Sequence, residues 1–216
     1  MGDPTRLTDV TVRALTERMA SSDPVPGGGS AAALAGAMGA ALVAMVAELT
    51  IGRPEYAEVE VLVRELAIDA RRQADALLDL AQEDAVAYDA VVRARRLPKD
   101  SLAEREVRAA ALRGAMVGAA DVPLRTAGVA AEVLDLAQRI APIGNRNAVS
   151  DAGVAAQLAA AALRGAILNV RINLPYLPAG EPLHDTAITE IARLEALAVE
   201  REQAAMAAVD ERLRAS

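Results

Sequence analysis

Three consecutive glycines, Gly27, Gly28 and Gly29, stand between Pro26 and Ser30 at the head of an alanine-rich segment. Glycine lets a ligand approach the main chain closely, and Ser30 is placed as a helix N-cap with unpaired amides just beyond it. Such a junction suits an anionic or carbonyl-bearing group, although no Lys follows to make it a nucleotide P-loop. A tight structural turn is the competing use. A second concentration of hydrogen-bonding groups runs from Gly144 through Asn145, Arg146 and Asn147 to Ser150 and Asp151. With Ser150 as cap, Asp151 falls in the first helical turn, where the helix dipole favours an ionised carboxylate. Cap competition among Asn147, Ser150 and Asp151 is the structural alternative.

Asn169 and Asn173 are spaced to share one face of an otherwise apolar stretch. Buried amides need partners, so they are either ligand contacts or a clamp between helices. Glu83 and Asp84 precede Tyr88 by about one turn, which can set a carboxylate beside a phenol; Glu83 also suits a solvated helix face. His184 is the sole histidine and lies in a proline-rich connection, as a surface loop residue would. There is no cysteine, so thiolate catalysis is excluded, and the common zinc and Ser-His constellations lack most of their parts. Acid-base chemistry falls to carboxylates, hydroxyls and ordered water. Neither a metal nor a permanently bound cofactor is expected.

The elements that must hold these groups are helical. Ala, Leu, Val, Glu and Arg dominate, Phe and Trp are absent, and Tyr56, Tyr88 and Tyr176 are the only aromatics; strand formers are scarce. The expected fold is an all-α bundle of long helices forming a single domain over residues 1–216. Asp3 and Pro4 offer a first helix start leading to about Ala20. The run from Ser30 to about Thr50 is apolar all round, with Ala32, Gly36 and Ala40 on one face, as a central buried helix requires. A long helix is expected from Gly52-Arg53-Pro54 to about Leu97, and a capping box at Ser101 to Glu104 opens another, which Pro123 should kink or break before Val129. Further helices are expected over about 150–174 and from Pro182 to Leu213.

A net charge of −7 without runs of Lys or Arg lacks the electrostatic footprint of a nucleic-acid binder. The uncharged run Ala31 to Ala47 is slightly short for a membrane span and ends at Glu48, so no membrane partner is expected. The N-terminus shows no basic-then-apolar secretion pattern, which points to the cytoplasm.

Taken together, Pro26-Gly27-Gly28-Gly29-Ser30, Leu49-Thr50-Ile51-Gly52, Glu83-Asp84-Ala85, Val122-Pro123-Leu124, Gly144-Asn145-Arg146-Asn147 with Ser150-Asp151, and Asn169-Val170-Arg171-Ile172-Asn173 resemble the cyclodeaminase/cyclohydrolase family over nearly the whole chain. The resemblance implies a helical enzyme, homodimeric or built from dimers, acting on the one-carbon unit between nitrogens 5 and 10 of tetrahydrofolate. The expected activity is formimidoyltetrahydrofolate cyclodeaminase, methenyltetrahydrofolate cyclohydrolase, or both, with the folate as substrate. It places Gly27, Gly28, Gly29, Ser30, Asn145, Asn147, Asn169 and Asn173 in or beside the site, with Asp151 as preferred catalytic carboxylate and Asp84 as second candidate. Arg53, Arg146 and Arg171 are the cations available for the folate's anionic glutamate tail. The alternative is a non-catalytic helical scaffold, in which the Asn and Asp positions are clamps.

Overall fold

The computed structural model describes residues 6–215. Among the described residues there are six α-helices and no strand: α1 (Val12–Met19), α2 (Gly28–Glu48), α3 (Glu60–Arg96), α4 (Leu102–Ile140), α5 (Val149–Asn173) and α6 (Pro182–Arg214). Short 3-10 turns precede α1 and α3 and connect α4 to α5 and α5 to α6. The all-α expectation holds, and α2 is the apolar helix anticipated from Ala31 to Ala47.

Several boundaries differ from the sequence reading, each for a local reason. The Asp3-Pro4 start lies outside the described residues; α1 begins at Val12, where the Thr11 side chain accepts the Ala14 N–H. Gly27 is the N-cap of α2, so Ser30 is inside the first turn and does not cap it. Pro54 initiates a 3-10 turn before α3 begins at Glu60. Ala148 occupies the N-cap position of α5, which leaves Ser150 within the helix as well. The Ser101 capping box forms as expected, with reciprocal bonds to and from Glu104. Pro123, in contrast, neither breaks nor ends α4, which runs through it to Ile140.

Helix α2 packs between α3 and α5 and also touches α4, while α6 covers α4 and α5. The core joins Ala33, Ala40 and Val43 of α2 to Leu66 and Leu77 of α3, Leu134 and Ile140 of α4, Leu163 and Ile167 of α5 and Leu194 of α6. Both α2 and α5 are long and apolar enough to cross a membrane, but their inner faces are buried among the other helices. Small residues let the axes of α2 and α5 come close. A Cβ on Gly39 would stand 3.0 Å from the Ala155 carbonyl oxygen and 3.4 Å from the Ala159 nitrogen, and one on Gly36 would meet Leu77 and Ala162. The two helices run antiparallel, since Gly28, Ala32 and Gly39 of α2 lie against Asn169, Gly165 and Ala155 of α5.

This contact is between backbones and cannot yield by rotating a side chain. Gly39→Val is therefore expected to reduce stability by roughly 1–3 kcal/mol, as overpacked cores do. Denaturant unfolding measures it; a midpoint equal to that of the unaltered protein would show that α2 and α5 tolerate separation.

Candidate functional site

Three helices meet around the start of α2. Asp84 of α3 lies directly over Gly29: a Cβ added there would overlap the carboxylate, with Asp84 Cγ at 2.6 Å. The glycine is thus required by a specific acid, not by backbone strain. Ser30 is fully buried, and its Oγ is 3.0 Å from the Ala81 carbonyl oxygen and 2.8 Å from Asp84 Oδ2. On the opposite side, Asn169 of α5 packs its carboxamide against Gly28 and donates to the Gly165 carbonyl at 2.9 Å. Asn173, one turn further, donates to the carbonyls of Asn169 and Ala119.

Burial raises the Asp84 pKa above the ordinary aspartate value, and the Ser30 hydroxyl and amide act against that rise. The geometry adds a constraint. Ser30 Oγ has one hydrogen but two acceptors within reach, so an ionised Asp84 and the Ala81 carbonyl compete for it. A protonated Asp84 can instead donate to Ser30 Oγ, which then donates to Ala81. Desolvation pushes the carboxyl towards its neutral form, and the Ser30 hydroxyl and amide support the ionised one. A half-buried carboxyl with a raised pKa at a glycine-lined helix start is suited to proton transfer.

The other predicted residues gather elsewhere. Thr50 is buried just beyond the C-terminal end of α2; its Oγ1 donates to the Val46 carbonyl and accepts the Asn145 N–H, both at 2.7 Å. Asn145, also buried, donates from Nδ2 to the Leu49 carbonyl at 2.6 Å and accepts the Asn147 N–H on Oδ1 at 2.9 Å. Tyr56 receives the Arg146 N–H at 2.9 Å. Asn145 thus serves as a latch that satisfies the Leu49 carbonyl at the C-cap of α2. Around the latch lie exposed Arg53 and Arg146, exposed Asn147, and half-buried Asp151 in the first turn of α5.

Asp84 and Asp151 therefore do not share one pocket within a chain. Eighteen residues of α5 separate Asp151 from Asn169, about 27 Å of helix. Arg171 is directed to α6, where it pairs with Glu195 at 2.9 Å, and is not gathered with Asn169. Glu83 pairs with Arg125 at 2.7 Å on the solvated side of α3. The sequence reading missed that Gly29, not Gly28, is the sterically constrained glycine: a Cβ at Gly28 would meet Asn169 at an ordinary 3.5 Å. It also missed the Ala119 carbonyl as a partner of Asn173, although Pro123 four residues later signals it.

Two substitutions separate these roles. Gly29→Ala is expected to displace Asp84 and disturb the site, whereas Gly28→Ala should be accommodated; ligand binding and melting temperature of each read this out. Because its pKa is raised by folding, Asp84 contributes instability that is absent at low pH and develops as pH rises from the usual aspartate value through the raised one. Asp84→Asn should therefore gain stability relative to the unaltered protein across that interval. Denaturation at a series of pH values tests this, and a difference that does not vary with pH would contradict the raised pKa.

Comparison with known proteins places this architecture. Residues 11–187 match the family model described as formiminotransferase-cyclodeaminase. A methenyltetrahydrofolate cyclohydrolase of Methylorubrum extorquens is 46% identical over 163 residues, spanning 76% of this chain and 78% of that one. The formimidoyltransferase-cyclodeaminase of Mus musculus is 35% identical over 173 residues, 80% of this chain but 32% of the mouse protein, so the chain spans about a third of that longer relative. The crystal structure of formiminotetrahydrofolate cyclodeaminase from Thermotoga maritima superposes with a TM-score of 0.83 at 27% identity, over 95% of this chain and 98% of the other. With the match extending from α1 into α6, this chain belongs to the formiminotransferase-cyclodeaminase family.

Proposed function

We propose that this protein is a folate one-carbon enzyme that hydrolyses the bridge of 5,10-methenyltetrahydrofolate, with Asp84 as the proton-transferring group. The observation that carries the reading is the Asp84 carboxyl seated on Gly29 and Ser30 with its pKa raised. The methenyl bridge is cationic, and a cation beside the carboxyl favours its ionised form. The bound substrate thus holds Asp84 in the form that can accept a proton. Water adds to the bridge carbon as Asp84 takes its proton, giving a tetrahedral carbon between the two nitrogens. The bond to nitrogen 5 then breaks as Asp84 returns that proton to nitrogen 5, the hydroxyl proton of the tetrahedral carbon is released to solvent, and the resulting carbonyl leaves as 10-formyltetrahydrofolate.

Cyclodeamination is the second reading, supported by the likeness to the Thermotoga maritima cyclodeaminase. There nitrogen 10 attacks the formimidoyl carbon on nitrogen 5, and the amine must be protonated to depart as ammonia. A neutral Asp84 can supply that proton. Arg53, which lies 3.8 Å from Glu55, and Arg146, near the first turn of α5, are the cations we assign to the folate's glutamate tail, and Arg171 is left out because it lies at the far end of α5, beside Glu195.

The same reading includes a homodimer. Exposed Met38 and Met45 of α2, with Leu49 just after it, and exposed Val154, Leu168 and Ile172 of α5 give these two neighbouring helices an apolar outer strip, bordered at Met45 by Glu48 and Arg71. Exposed apolar surface of this extent marks an interface. A two-fold pairing that lays the strips antiparallel sets the Gly28 and Asp84 end of one copy beside the Asn145 to Asp151 end of the other. Asp151 then completes a site in trans, orienting the cationic carbon or the water.

Turnover of methenyl- and formimidoyltetrahydrofolate by the purified protein, corrected for the spontaneous reactions, tests the activity. Asp84→Asn should retain its fold and lose turnover by roughly 10²- to 10⁴-fold; activity near normal would remove Asp84 from the chemistry. Asp151→Asn should also lose turnover, and co-expression of the two variants should restore activity that neither has alone. Failure to restore it, with light scattering reporting dimers, would rule out a site shared between copies.

A further inference from the structure

Pro123 lies in the interior of α4 and has no N–H, so the Ala119 carbonyl one turn earlier lacks its helical donor. Asn173 of α5 provides the replacement: its Nδ2 donates to the Ala119 oxygen at 2.7 Å. The same nitrogen donates to the Asn169 carbonyl at 2.9 Å. A carboxamide nitrogen carries two hydrogens, and both are spent. The side chain of Asn173 keeps only Oδ1 for other partners, and that atom is an acceptor.

We propose that Pro123 and Asn173 form a positioning pair for the folate site. By withholding one amide hydrogen, the proline captures Asn173 and fixes the end of α5 on α4. Asn169, one turn back along α5, is thereby held against Gly28 at the start of α2. Neither residue performs proton transfer. The pair also limits what this end of the site can recognise. Asn173 offers no donor to a carboxylate of the glutamate tail and can only accept from an N–H, such as those of the pteridine ring. The proline is retained in the helix for the carbonyl it leaves open.

The inference rests on the folate activity proposed above, so turnover by the unaltered protein is measured first, and its absence would count against that activity. The test is a double-mutant cycle of Pro123→Ala and Asn173→Ala, with kcat, KM and melting temperature recorded for each protein. The introduced alanine supplies an N–H to the Ala119 carbonyl and is a better helix former than proline, so Pro123→Ala should melt at or above the temperature of the unaltered protein. Its kcat/KM should nevertheless fall about ten- to a hundredfold, chiefly through KM, as displaced positioning groups cause. Asn173→Ala should produce a similar loss alone and little further loss when combined with Pro123→Ala. Should Asn173→Ala fail to fold, Pro123→Ala decides alone. Unchanged kcat and KM in Pro123→Ala, losses that simply add, or coupling confined to melting temperature would each overturn the proposal.

Discussion

The close approach of α2 to α5 is the constraint on which the other features depend. Without side chains at Gly36 and Gly39 the two helices can meet nearly backbone to backbone, and only at that spacing does the Asn169 carboxamide reach Gly28. The same economy of volume appears at the flank of α2 facing α3, where Gly29 admits a carboxylate. A core made so largely of alanine gains modestly from each buried side chain. It compensates through many short interatomic contacts, in which dispersion adds up and small gaps are felt. Such packing makes a stiff frame, and the frame is what allows a half-buried acid to be held on a helix start.

Much of this was legible in the residues. The all-helical class followed from composition, the central position of α2 from its apolar circumference, and the opening of α4 from the Ser101 and Glu104 pair. The family resemblance placed the glycine loop, Asp84, Asn169 and Asn173 in one site together with Asn145, Asn147 and Asp151, whereas within one chain the structure sets these last three at the other end of α5; the possibility that an asparagine serves as a clamp was legible in the residues. Other points required three dimensions. Ser30 and Ser150 look like caps because hydroxyl residues favour that role, but helix starts are set by where the chain turns, and Gly27 and Ala148 occupy those positions. Pro123 looks like a breaker because its cost is local, whereas its remedy, Asn173, lies on another helix. The division between the Asp84 and Asp151 ends could not be read from order along the chain, since it depends on α5 running antiparallel to α2.

Asn145 and Asn173 illustrate how one residue type performs two related tasks. Each satisfies a carbonyl that helix geometry leaves without a donor, Asn145 that of Leu49 at the end of α2 and Asn173 that of Ala119 before the proline in α4. Unpaired buried carbonyls cost about 1–3 kcal/mol, so both side chains stabilise the frame. They differ in what remains. Asn145 has used its oxygen on the Asn147 amide, and Asn173 retains its oxygen. A polar residue near a site is best judged by the atoms it has left over.

The order of elements along the chain carries a consequence for folding. Asp84 reaches Ser30 across 54 residues within the α2 and α3 pair, and Asn173 reaches Ala119 across 54 residues within the α4 and α5 pair. The latch from Asn145 to Thr50 spans 95, and Asn169 meets Gly28 over a longer loop still. Closing long loops costs more entropy and delays contact formation. Two helical hairpins are therefore expected to assemble first, one bearing the acid and the other its carboxamides, with the pocket formed when the hairpins dock.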